Sequence, residues 1–235
     1  MKKHFLLATI LLSACSLFAQ QPEGTYKNGL DSLAFTNGKA TFRLTGFAGL
    51  SVAQVGEGSY ELTDQFLLIH TTDYSGFKSS SQALEGSRKD TCVVKVVGMH
   101  NYPIQTILVE AKNKSDKMVE AKVTDSEGKI YLTMDDKMTS LAVSSLGYNA
   151  IAFDYTPGKD YLVRLAENDV IEARTVVFSI DFIDDETISL LLLTDDFDTS
   201  KNKVKELQKL EKKARKSKLL DKRLKKVYVP YERKL

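Results

Sequence analysis

The side chains of this chain best suited to chemistry are His70, His100 and Cys92, the serine run 79–81, and two acidic groups, Asp181/Asp184/Asp185/Glu186 and Asp195/Asp196/Asp198. A zinc peptidase needs several histidine and carboxylate ligands converging on one metal, with a general base beside it. The chain has no His-Glu-x-x-His pair and no paired cysteines at ligand spacing. His70 ends an apolar run, "QFLLIH", and is expected to pack at a strand end or face solvent. Cys92 reads as a small buried residue, because no base can be placed beside it. The serines lie in a polar stretch without the Gly-x-Ser-x-Gly elbow of a hydrolase. "GEG" at 56–58 lacks the strand-to-helix setting of a phosphate loop and reads as a turn. Neither acidic group contains the glycine that sharpens a calcium loop, so both are expected to be solvated turn acids. Asn113-Lys114-Ser115 fits a glycosylation acceptor and reads as chance. No catalytic residue, cofactor or metal is expected.

Charge supplies the more specific signal. Residues 21–197 carry 16 basic and 26 acidic side chains, whereas 198–235 carry 15 basic and 5 acidic. Within that tail Val204, Leu207, Leu210, Ala214, Leu220, Leu224 and Val227 recur mostly by threes and fours, with a gap near Ser217. The spacing predicts a basic amphipathic helix over 198–235, capped by Ser200 and ended by Pro230. Lys205, Lys209, Lys212, Lys213, Arg215, Lys216, Lys222 and Arg223 are its candidate contacts with a partner. Such a face suits anionic lipid headgroups, an envelope protein or glycan, or the acidic body of this same chain, and nucleic acid is not expected. Deleting 201–235 is expected to leave the β domains folded.

The elements behind these residues read as strands. From 24 to 73, short β-favouring pieces are closed by Asn-Gly, Gly or Asp, with Asn37-Gly38 as the strongest hairpin signal. Residues 74–90 lose the alternation and read as a linker. Seven further pieces run from 91 to 166, in which Ile151, Phe153 and Tyr155 share one face, as do Tyr161, Val163 and Leu165. This predicts a small sandwich. Residues 173–194 form one more hairpin, with Val176, Phe178, Ile180 and Phe182 on one face, Ile188, Leu190 and Leu192 on one face after the "DDE" turn, and Ser179 and Asp181 outward. Two strands alone are marginal in water. The hairpin therefore either completes a discontinuous domain, 21–73 with 173–197, around an insertion at 91–166, or extends the sandwich. The expected class is all-β, with a β-sandwich module, a second small antiparallel β domain and a C-terminal basic α-helix.

"MKK" followed by "FLLATILLSACSLFA" has the basic start and short apolar middle of a secretory signal peptide over 1–20. Two outcomes remain open. Cleavage after Ala19 would leave a small residue at the new boundary, while "LSAC" resembles a lipobox that would lipidate Cys15. Either outcome addresses the chain to the periplasm, outer membrane or surface of a Gram-negative bacterium.

"PIQTILVEAKN", "AKVTDSEGKIYLTM", "SLAVSSLGY" and "DYLVRL", in that order, resemble the carboxypeptidase regulatory-like domain, a transthyretin-like β-sandwich. Gln105-Thr106 departs from that family's Gly-Ala pair, so the first crossover is expected to be shaped differently. The N-terminal strands resemble small lipocalin-like or META-type β domains more loosely. The first resemblance implies a non-catalytic accessory module, hence an envelope-associated binding or scaffolding protein. The alternative is a lipocalin-like carrier, in which 24–73 and 173–194 close around a small apolar ligand.

Overall fold

The computed structural model of the chain describes residues 22–46, 52–200, 203–217 and 221–228. The leader expected over 1–20, with Cys15, and the expected helix positions Leu220 and Pro230 lie outside these residues. What is described is mostly β, as the alternation predicts.

Five strands run consecutively from the N-terminal side: β1 (Gly24–Asn28), β2 (Asp31–Thr36), β3 (Lys39–Thr45), β4 (Ala53–Thr63) and β5 (Phe66–Thr71). Asn37 and Gly38, with φ of 51° and 73°, make the tight β2–β3 turn, the conformation that an Asn-Gly pair adopts at low cost. The seven pieces expected over 91–166 are β7 (Thr91–Gly98), β8 (Leu108–Lys112), β9 (Met118–Val123), β10 (Lys129–Thr133), β11 (Ser140–Ser144), β12 (Ile151–Asp154) and β13 (Lys159–Leu165). The 74–90 segment is not all linker. It contains β6 (Ser80–Glu85), which pairs antiparallel with β13 through its backbone, so its polar, weakly β-forming sequence hid it. Beyond these come β14 (Asn168–Val170), β15 (Thr175–Phe182), β16 (Thr187–Thr194), α1 (Lys203–Lys216) and β17 (Lys222–Val227).

The hairpin β15–β16 joins the N-terminal strands. β15 pairs with β5, and β16 pairs with β17, which pairs with β1. Because β4 also pairs with β5, eight antiparallel strands close into a barrel in the order β1-β2-β3-β4-β5-β15-β16-β17. Leu33, Phe35, Phe42, Leu44, Ile69, Phe178 and Leu224 are all buried in its interior cluster. Phe42 meets Phe178 edge to face, with ring centroids 5.6 Å apart. Side chains of these residues thus occupy the barrel interior, one of the two arrangements open to an eight-stranded barrel.

"GEG" is not a turn. Gly56 and Gly58 sit inside β4, where its second neighbour changes from β14, paired parallel at Ala53–Val55, to β5, paired from Gly58 onward. A Cβ on Gly58 would lie 1.8 Å from the His70 carbonyl oxygen, and one on Gly56 would lie 2.7 Å from the Phe42 ring. The glycines allow backbone and ring to close on the strand at the barrel's bend.

Between β5 and β15 the chain leaves the barrel and builds two four-stranded sheets, β10-β7-β13-β6 and β12-β11-β8-β9. Val94, Val96 and Val163 from one sheet and Val109, Leu141 and Val143 from the other share one buried cluster, each fully enclosed. Thr106 holds φ of 64° on the approach to β8, an unusual conformation for a β-branched residue, at the position where the family resemblance breaks.

The expected helix over 198–235 is shorter than its spacing suggests. It ends at Lys216, and Lys222–Val227 is the eighth barrel strand, with Ile188 opposite Leu224 and Thr25 opposite Val227. The physical reason is that β1 and β16 would otherwise each present an open row of backbone donors and acceptors, which local helix propensity cannot offset. Deleting 201–235 would therefore remove a barrel strand. The expected start of the helix, Ser200, adjoins residues outside those described. Its N–H and hydroxyl both donate to Asp198.

The helix α1 lies against the outside of the barrel. Leu207 is completely buried among Phe66, Leu68, Val177 and Phe197. Ser179, which points away from the barrel interior, is covered in consequence and donates its hydroxyl to Glu211 at 3.2 Å.

Candidate functional site

His70 stands in a line of polar groups that sequence reading did not bring together. Its Nδ1 is 3.0 Å from the Thr175 hydroxyl and its Nε2 is 3.3 Å from Glu61 Oε1. β5, β15 and β4 place the three side by side, since His70 lies directly across from Thr175. The order hydroxyl, imidazole, carboxylate is that of an activated nucleophile, yet Thr175 is a buried residue and Glu61 is already engaged by Lys203 from the start of α1. The hydrogen bond from Lys203 lowers the Glu61 pKa, with a smaller contribution from His70. The arrangement braces the helix to the barrel.

Cys92 is enclosed in the sandwich core, where burial and the nearby Asp160 push its thiol up to about 12. It stays protonated at neutral pH and is a poor nucleophile. Asp160 is itself fixed by the N–H and hydroxyl of Ser87 and the N–H of Val93. The acidic groups are mostly turn residues, except Asp181, which lies within β15 opposite Ser189: Asp184 accepts the Glu186 N–H, Asp195 lies 3.7 Å from Arg174, and Asp198 serves Ser200. Among the described residues no group of three or more His, Cys, Asp or Glu side chains converges on a metal position.

The eight basic candidates divide between two elements and two kinds of environment. Lys205, Lys209, Lys212, Lys213 and Lys216 are exposed on α1, on the side away from Leu207 and Ala214. Arg215 is exposed too, but it is held by two hydrogen bonds to Glu211, at 2.9 and 3.0 Å, and lies 4.0 Å from Asp181. Lys222 and Arg223 belong to β17 rather than to the helix. The Lys222 amine turns into the barrel seam, 2.5 Å from Asp31 Oδ2, so it serves the fold, whereas Arg223 remains exposed.

A second site assembles from segments too far apart in sequence to be read together. A cavity of about 630 Å³ lies where the barrel meets the inserted sheets. Its walls include Arg43 of β3, Phe77 of the segment leaving the barrel, Tyr102 after β7, Tyr148 after β11, and Glu167 and Asn168 at the return. A neighbouring cavity of about 540 Å³ shares Arg43, Tyr148 and Glu167 in its walls. Phe77 and Tyr102 are each 75% exposed, unusually open for rings of this size.

These groups are held firmly. Ser79 accepts the Ala166 N–H and donates its own N–H to the Asn149 side chain, which ties the Phe77 segment to both neighbours. The Tyr102 turn is closed by the Gly98 N–H donating to the Tyr102 carbonyl and by Arg164 donating to Asn101. Asn168, 8% exposed, donates its Nδ2 to the Phe77 carbonyl at 2.8 Å, and its Oδ1 is buried without a hydrogen-bond partner.

No protein-family model matches this chain, and no curated protein matches it in sequence.

Proposed function

We propose that this chain is a non-catalytic binding or scaffolding protein of the bacterial envelope, that its inserted module is a carboxypeptidase regulatory-like sandwich, and that it docks on an anionic membrane surface through α1. The two four-stranded sheets and the order of the quoted motifs support the module assignment. One observation carries the docking: α1 spends its apolar side on the barrel and turns five lysines to solvent. With Leu207 sealed under Phe66 and Leu68, the helix cannot bury an apolar stripe in lipid as a free amphipathic helix does. Attraction to headgroup charge, about 1 kcal/mol per lysine near the surface, is what remains.

The test is co-sedimentation of the full chain with neutral and with anionic vesicles. Binding is expected only to the anionic ones, falling steeply as salt shortens the screening length. Replacing Lys209, Lys212, Lys213 and Lys216 by Glu should lower it by about a thousandfold or more. Equal binding to neutral vesicles, or indifference to the charge reversals, would overturn the docking proposal.

A further inference from the structure

We infer that the docking surface proposed for α1 continues onto the barrel wall, where Lys27 of β1 with Arg223 and Lys225 of β17 forms a second cationic element for the headgroup phosphates of an anionic bilayer. This rests on the docking proposed above. Alternation fixes the direction of the three side chains: Tyr26 and Leu224 belong to the interior cluster, so their neighbours Lys27, Arg223 and Lys225 point outward, and all three are exposed.

Strand register brings two of them together. Lys27 stands directly opposite Lys225 in the β1–β17 ladder, which sets their Cβ atoms about 5 Å apart on one face. Like charges placed in this way destabilise a sheet. Arg223 lies two positions along the same side of β17, so three cations share one patch of wall. Among the described residues none of the three is held in an ion pair, and Asp184, the acid that feels Lys225, already accepts the Glu186 N–H. The inward cation of the same strand, Lys222, is matched by Asp31. The chain thus supplies a counter-ion where it buries a charge and none where it crowds these outside.

The patch adjoins α1. Ser189 and Leu191 alternate with the interior residues Ile188 and Leu190, and so point outward, yet both are buried because α1 packs on that strand. Ser189 is directly opposite Arg223. The helix therefore covers the strand next to β17, and its lysines and the wall cations border one region of solvent. A bilayer offers phosphates across that whole region, whereas one small anion would reach only a few of the cations. Val227, on the same side of β17, and Tyr228 after it are exposed at the end of the row, where an amphipathic ring suits headgroup level.

The experiment co-sediments the full chain with vesicles of phosphatidylcholine alone and of equal parts phosphatidylcholine and phosphatidylglycerol. The triple variant Lys27→Gln, Arg223→Gln, Lys225→Gln should bind the anionic vesicles about a hundredfold more weakly. It should melt no lower than wild type by circular dichroism, because the repulsion between β1 and β17 is gone. Lys225→Gln alone removes the facing pair and should cost about fivefold, which keeps the test open if the triple variant folds poorly. A charge-matched control, Lys89→Gln, Lys114→Gln, Lys117→Gln, changes exposed lysines of the inserted module and should bind as wild type does. No loss in the wall variants, or an equal loss in the control, defeats the inference. If the α1 reversals still abolish binding in that case, docking through the helix stands. A wild-type chain with no preference for anionic vesicles removes both.

Discussion

Thr71 and Arg174 bind each other's backbone at the point where the chain leaves and re-enters the barrel. The Thr71 N–H and hydroxyl donate to the Arg174 carbonyl at 2.8 and 2.9 Å, and the Arg174 N–H donates to the Thr71 hydroxyl at 3.1 Å. The neck is reinforced outward, where Glu172 accepts from the Tyr74 N–H and from Lys78. An insertion whose ends are fastened in this way adds little constraint to its host. Replacing residues 79–166 with a short Gly-Ser linker, between Lys78 and Glu167, should therefore leave a barrel that unfolds cooperatively. Loss of a cooperative thermal transition in that protein would show that the barrel depends on the insertion.

Asp31 links β2 to the last barrel strand. Burial alone would raise its pKa, but hydrogen bonds from Lys222 and Thr45 outweigh this and lower it. Lys222→Met should cost about 2 kcal/mol in urea unfolding at neutral pH, since the carboxylate stays partly buried without its cation. A group whose folded pKa is lowered contributes stability above its unfolded pKa, about 3.9, and loses that contribution as pH falls through the folded value. The difference between wild type and Lys222→Met should therefore shrink in acid. A gap that is constant from neutral pH down to acid would disprove the pairing.

The Cys92 thiol offers a folding-state probe. Raised to about 12 from an ordinary 9.0 and fully enclosed, it should resist iodoacetamide at pH 8 in the folded protein and react readily in urea. The same shift means that its contribution to stability is complete below pH 9.0 and is lost as pH rises through about 12. Rapid labelling without denaturant would mean that the sandwich opens locally.

Gly58→Ala should be among the most damaging single changes in the chain. The added methyl meets the His70 backbone carbonyl at 1.8 Å, with no flexible side chain to give way, so one of two hydrogen-bonded strands must move. A loss of about 3 kcal/mol in denaturant unfolding is expected. Gly38→Ala is the control, because a Cβ there meets nothing within 4 Å and only its positive φ is strained. If the two variants melt alike, the close approach at Gly58 is not what the glycine serves.

Much of this architecture was legible wherever one face of a strand is apolar. Leu33 with Phe35, and Val176 with Phe178 and Ile180, announced both their strands and their buried side, although Phe182, on the same face by alternation, is exposed where β15 runs past the core. Legibility ended where backbone pairing alone makes the strand. "SSQALE" and "KRLKKV" have neither alternation nor β propensity; the first forms through backbone pairing with a neighbouring strand, and the second adds a single buried side chain, Leu224, to the pairing that closes the barrel. Ser179 was placed outward correctly but is buried all the same, since a helix packing outside a barrel leaves no period-two signal in the strand it covers. The cleft was unreadable for a different reason. Arg43, Phe77, Tyr102, Tyr148 and Asn168 come from five separate segments, and what unites them is the docking of two modules, which no local pattern encodes.

The barrel's seam also sets an order of assembly. Because Lys222–Val227 sits between the first strand and β16, the ring stays open until the chain has been made through Val227. The inserted sheets, complete by Leu165, can collapse early and hold β5 and β15 together at their neck, while β1 and β16 wait as bare edges. Chains cut short before the final strand should then be the aggregating species, joined edge to edge through the very gap that β17 fills.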